Sequence, residues 1–169
     1  MSAAVRSLLL MGVSGSGKTT VGEALARRLG WRFIDGDDFH PQANVEKMRA
    51  GTPLTDEDRA PWLDRLNAVL RHSRARDEPI VLACSALKAS YRTRLADRLP
   101  GLQVAYLCGS PDLIAGRVSE RQHKYMPASL LGSQFATLEP PEQAWQIDIG
   151  QPLDTVIDGL ADRIRSSAP

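Results

Sequence analysis

Residues 12–19 read "GVSGSGKT", the complete pattern G-x-x-x-x-G-K-[ST]. Glycines at 12, 15 and 17 are poor helix or strand formers; they mark a turn whose backbone can adopt positive φ and close on an anion. The motif carries meaning only between a strand and a helix. Both are predicted here. "SLLLMGV" is a continuous apolar run ending at the loop, and beyond it Val21, Leu25 and Leu29 recur every four residues, with Gly30 as the C-terminal cap. In that context successive N–H groups and the start of the following helix face phosphate oxygens. Gly12, Val13, Ser14, Gly15, Ser16, Gly17, Lys18, Thr19 and Thr20 are therefore the expected nucleotide-binding residues, with Lys18 on the outer phosphates and the Thr19 hydroxyl on Mg²⁺.

The rest of the chain repeats the alternation of short apolar runs and helical periods that builds an α/β protein with a parallel sheet. Candidate strands are "SLLLMGV", "WRFID", "PIVLAC", "QVAYLC" and "AWQIDI". A second helix is expected with Pro61 near its start and a stripe of Trp62, Leu66, Val69 and Leu70. A third opens with Ser110 as N-cap and Pro111 as first helical residue. "PASLLGSQFATLEPP" reads as a helix stopped by its prolines, and the last helix carries Leu153, Val156, Ile157, Leu160 and Ile164 on one face. At 169 residues, with no repeat or linker, one domain spanning 1–169 is expected.

Composition narrows the partners. A net charge of +1 supplies no field for nucleic acid or a membrane surface. The apolar run "LLLMGV" is too short to cross a bilayer or to form a signal peptide. Cys84 and Cys108 each close an apolar run without metal-ligand spacing, as buried thiols in a reducing compartment do, so a cytoplasmic location is expected.

A bound nucleoside triphosphate has many uses. The switch element D-x-x-G and the guanine reader N-K-x-D of regulatory GTPases are both absent from the sequence. A small phosphoryl-transfer enzyme remains, with an acceptor pocket at the carboxyl ends of the strands beside the loop. "DGDDFHPQANVEKM", residues 35–48, starts there. Asp35 and Asp37 flank Gly36 and can divide the work: Asp37 as base toward the attacking hydroxyl and Asp35 in the outer shell of the metal, roles that sequence alone leaves interchangeable. His40 and Lys47 follow in the same run as candidate substrate contacts.

These stretches, "GVSGSGKTT", "DGDDFHPQANVEKMRAGTPLTDEDRAPWL", "CSALKASYR" and "HKYMPASLLGSQFATLEPP", together resemble the gluconokinase family. The resemblance implies transfer of the γ-phosphate of ATP to the 6-hydroxyl of D-gluconate, within sugar-acid catabolism and the pentose phosphate pathway. It also implies a three-layer P-loop nucleotide-kinase-like fold, with a five-stranded parallel sheet, flanking helices and a helical lid, and commonly a homodimer. Gluconate is a linear polyol with one carboxylate, so its pocket needs a cation. Arg59, in "DEDRAPW", is the favoured one because a guanidinium grips a carboxylate with two bonds. Lys88 and Arg92, four residues apart after the third strand, are further substrate candidates. Arg117 and Arg121, with His123 and Lys124 beyond, suit a lid at about residues 117–127 that neutralises the transferring group and excludes water. "DIGQPLD" is the expected seat of adenine. The rival readings are a shikimate-type kinase, a nucleic-acid kinase and a regulatory protein that keeps the loop without catalysis.

Overall fold

The strand the loop terminates proves to be the centre of the molecule. In the computed structural model, which describes residues 3–119 and 131–168, β1 (Ser7–Met11) is buried along its whole length. It pairs in parallel with β3 (Ile80–Ala83) on one side and β4 (Leu102–Cys108) on the other. β2 (Arg32–Asp35) extends the sheet beyond β3, and β5 (Trp145–Asp148) extends it beyond β4. The order is β2-β3-β1-β4-β5 with every pairing parallel. All five expected strands are present.

A strand buried on both faces must be apolar at successive residues, and β1 supplies both cores by alternation. Leu8 and Leu10 point into one, with Val21 and Leu25 of α1 (Lys18–Leu29) and Val156, Ile157, Leu160 and Ile164 of α7 (Leu153–Ser166). Leu9 and Met11 point into the other, against Trp62, Leu63, Leu66 and Leu70 of α3 (Asp56–Ala75) and Leu95 of α4 (Ala89–Leu95). Leu153, expected on the buried face of α7, is instead 43% exposed. It occupies the first position of the helix, before the apolar stripe has turned toward the sheet.

Other helix ends follow their chemistry. Gly30 takes φ +69° as the C-cap of α1. Ser110 Oγ accepts from the Leu113 N–H at 3.1 Å ahead of α5 (Pro111–Ser119). α3 starts at Asp56, so Pro61 lies inside the helix and not in its first turn. Its true start is a capping box: Thr55 Oγ1 accepts from the Asp58 N–H at 3.1 Å, while Asp58 Oδ2 accepts from the Thr55 N–H at 2.9 Å. Between β2 and α3 lies a short helix, α2 (Gln42–Arg49), within the acidic run. α6 (Leu131–Thr137) precedes the double proline.

Because the connection from β1 runs toward β2 and that from β3 runs toward β4, the loops at their carboxyl ends diverge. A crevice opens between them, where open α/β sheets bind ligands.

Candidate active site

One cleft gathers the ends of β1, β2 and β3. Its walls include Gly15, Gly17, Lys18, Thr19 and Thr20 from the loop, Asp35 and Asp37 after β2, and Ser85 and Leu87 after β3. His40, Met48, Pro53, Leu54, Arg59 and Trp62 complete one part of it, and Ser133 and Gln134 of α6 another.

The loop is locked at both ends. Gly17 sits at φ +96° as the cap of α1, in the left-handed region that a side chain resists, so the first helical N–H groups stay free of a side-chain cap. Gly12 N–H reaches the Ser85 carbonyl at 3.3 Å, and Ser14 N–H donates to Gln134 Oε1 at 2.6 Å. Gln134 itself is buried, so the α6 end of this link is shielded from water. Lys18 folds back, its Nζ donating to the carbonyls of Gly12 and Val13 at 3.0 Å each. Burial lowers its pKa, opposed chiefly by the negative charge of Asp37 and, more weakly, of Asp35. Cys84 lies close by and is raised to about 12, chiefly by burial, then by Asp37; it is an inert thiol.

The two carboxylates stand in different surroundings. Asp35 has both oxygens engaged: Oδ1 accepts from the Asp37 N–H at 3.0 Å, and Oδ2 from the Thr19 hydroxyl at 3.3 Å. A hydroxyl and a carboxylate oxygen meeting beside a phosphate loop form a hard donor set of the kind Mg²⁺ takes. Asp37 follows on a single 3₁₀ turn, residues 36–39, and its Oδ1 lies 3.9 Å from His40 Nε2. That turn depends on Gly36. A Cβ there would stand 2.7 Å from the Ala83 carbonyl, and Trp62 Nε1 donates to the Gly36 carbonyl at 2.7 Å from below.

His40 is stacked on Trp62, ring centroids 4.0 Å apart and 19° from parallel. Burial, with the Arg59 cation adding to it, holds its pKa down to about 4. The ring is therefore neutral. Asn44 Nδ2 lies 3.3 Å from Nδ1, so the amide donates there and the imidazole hydrogen sits on Nε2, toward Asp37. A folded-state pKa below the unfolded value means that the unfolded chain takes up the proton first as pH falls. Stability from this group is complete above about pH 6.5 and is lost on acidification toward 4; at about pH 5 the loss should be about 2 kcal/mol. Urea titrations at neutral and acid pH would measure it, and His40→Gln should flatten that slope.

Several expected contacts are placed otherwise. Lys47 is paired with Asp58 at 2.8 Å, which holds that carboxyl down to about 2, and it is not among the cleft's lining residues. Lys88 is paired with Asp56 at 3.0 Å, also off the wall. Arg92 spends its guanidinium on the carbonyls of Ala86, Leu87 and Glu139, bracing the turn after β3. Arg59 does line the cleft, bonded to the Leu54 carbonyl and the Tyr91 hydroxyl and not to the neighbouring acids. Arg117 donates to the Ile149 carbonyl at 2.8 Å, tying α5 to the segment after β5. Arg121, His123, Lys124 and the rest of the expected lid fall outside the described residues.

Gln134, Asn44, Trp62 and Tyr91 were not anticipated in the site. Only the stretches that contain them were legible, through the family resemblance.

A model of the AAA domain family matches residues 8–141. A probable gluconokinase of Mus musculus is 44% identical over 94% of this chain and 97% of its own length. A gluconokinase of Gluconobacter oxydans (strain 621H) is 53% identical, covering 80% of this chain and 76% of that one. Among solved structures, the crystal structure of a gluconokinase from Sinorhizobium meliloti 1021 superposes with a TM-score of 0.84 at 42% identity, over 98% of this chain and 95% of the other.

Proposed function

The chain belongs to the gluconokinase family, and we propose that it transfers the γ-phosphoryl group of ATP to the 6-hydroxyl of D-gluconate, giving 6-phospho-D-gluconate and ADP. The observation that carries this reading is the composition of this cleft: a phosphate loop with Lys18, two carboxylates after β2, and a guanidinium, Arg59, on the same walls. A polyol acid needs those three things together.

Phosphoryl transfer asks little covalent chemistry of the protein, so positioning and charge carry it. Asp37 accepts the proton of the 6-hydroxyl as its oxygen bonds to phosphorus and the bond to the ADP oxygen breaks. His40, neutral with its hydrogen on Nε2, donates to a substrate hydroxyl beside Asp37. Lys18 leaves the loop carbonyls for the outer phosphates. Thr19 and Asp35 are the residues that would hold Mg²⁺, which supplies charge neutralisation on the phosphates when bound. Arg117 and Arg121 remain our candidates for cations that close over the transferring group. Among the described residues no helix is long and apolar enough to cross a membrane; we extend the reading to a cytoplasmic location on the strength of the two free thiols and to a homodimer on the strength of the sequence resemblance.

The test is ADP release by the purified protein with ATP and Mg²⁺, across D-gluconate, shikimate, glycerate and nucleoside monophosphates. Turnover with gluconate alone is the expected result. A different preferred acceptor would overturn the substrate assignment, and ATP binding without any turnover would favour a regulatory protein that keeps the loop without catalysis.

A further inference from the structure

Arg59 meets the cleft with only part of its guanidinium. Nη1 carries two hydrogens, and both are committed: one to the Leu54 carbonyl at 2.6 Å, the other to the Tyr91 hydroxyl at 3.0 Å. Nε and Nη2 make no hydrogen bond of their own to the described residues. Those two groups form the side-on edge of the fork, which matches the two oxygens of a carboxylate.

Tyr91 is itself held in place. Having accepted from Arg59, its hydroxyl donates to Asp56 Oδ1 at 2.5 Å. Lys88 Nζ closes the chain, 3.0 and 3.3 Å from the two Asp56 oxygens. The hydrogen bonds from Tyr91 and Lys88 keep the Asp56 carboxyl below its ordinary range, while burial and then Asp56 raise the Tyr91 phenol. The proton therefore stays on the tyrosine, and its lone pair stays turned toward Arg59. Both cations also lie over the Tyr91 ring, Arg59 at 5.3 Å and Lys88 at 5.6 Å from its centroid.

We propose that Tyr91 is a positioning residue for the substrate carboxylate: its hydroxyl, oriented by Asp56 and Lys88, pins Nη1 of Arg59 so that Nε and Nη2 are presented to the sugar acid. The inference rests on the gluconate reading and deepens it. Lys88, expected from the sequence to touch substrate, acts here two residues removed. An arginine whose rotamer freedom is given up during folding loses less on binding. The effect therefore falls on substrate affinity, made equally in ground and transition states, and not on the chemical step.

Tyr91→Phe is the informative variant, because it keeps the ring and both cation contacts and removes one hydroxyl. Its KM for D-gluconate should rise about 5–10-fold, with kcat and the KM for ATP within about twofold of wild type. In an Arg59→Gln background the same change should add less than about twofold, since the residue it acts through is gone. Asp56→Ala, on a side chain that is 60% exposed, gives a second route should Tyr91→Phe fold poorly. It should raise the gluconate KM about threefold in the same selective way. An unchanged gluconate KM in folded Tyr91→Phe, or an equal rise with and without Arg59, would overturn the proposal while leaving the substrate reading intact. Wild-type protein that ignores gluconate and phosphorylates another acceptor would overturn both.

Discussion

Asp37→Asn should lower kcat with D-gluconate by about 10²–10⁴-fold, the usual contribution of a positioned general base. The substitution keeps the size and shape of the side chain and removes its charge together with its ability to take a proton. Asp35 is assigned to the metal because its Oδ2 meets the Thr19 hydroxyl beside the phosphate loop. Asp35→Asn should instead raise the Mg²⁺ concentration needed for half-maximal rate. Steady-state kinetics over a magnesium series separates the two roles. If Asp35→Asn gave the deeper fall in kcat at saturating magnesium, the assignments would exchange.

Lys18→Met is the second large effect, with a loss of about 10³-fold in kcat, the scale found when a preorganised group facing transition-state charge is removed. The resting position of Lys18 adds a distinctive readout. Its half-buried ammonium is bonded to two carbonyls of its own loop, so nucleotide must draw it away from partners it already has. In the wild type, ATP should raise the melting temperature in proportion to the logarithm of its concentration. In Lys18→Met that dependence should shrink sharply. A full ATP-induced shift combined with lost turnover would assign Lys18 to the chemical step alone.

The loop, the five strands and the acidic turn were legible because each depends on neighbours in sequence. Gly12 to Thr20 carry their own context, and "DGDDFH" begins where a strand must end. The start of α3 is also written locally: Thr55 and Asp58 have the spacing of a capping box, and Pro61, the more conspicuous start signal, lies a turn further in. The charged residues were harder for a physical reason. Lys88 and its partner Asp56 are thirty-two positions apart, and Arg92 is consumed by backbone carbonyls, which have no signature in a sequence. A cation looks equally available on the page whether it faces a ligand or a buried carbonyl. Gln134 is the same case in reverse: a neutral amide beyond the expected lid reaches back 120 positions to the loop.

The pairing of β1 has a consequence for the order in which the molecule is made. β1 leaves the ribosome first, yet its hydrogen-bond partners are β3 and β4, and β2 in turn pairs only with β3. None of the sheet's native pairings lies within the segment that ends before β3. At roughly 5–20 residues per second, a strand destined for complete burial waits for several seconds as an unpaired edge. The phosphate loop, which hangs from that strand, therefore acquires its shape only after Ala83 has emerged. The loop thus waits on a strand that lies more than sixty residues further along the chain. During that interval the nascent chain is exposed to wrong pairings, and a chaperone that shields short apolar strands would be of most use to it.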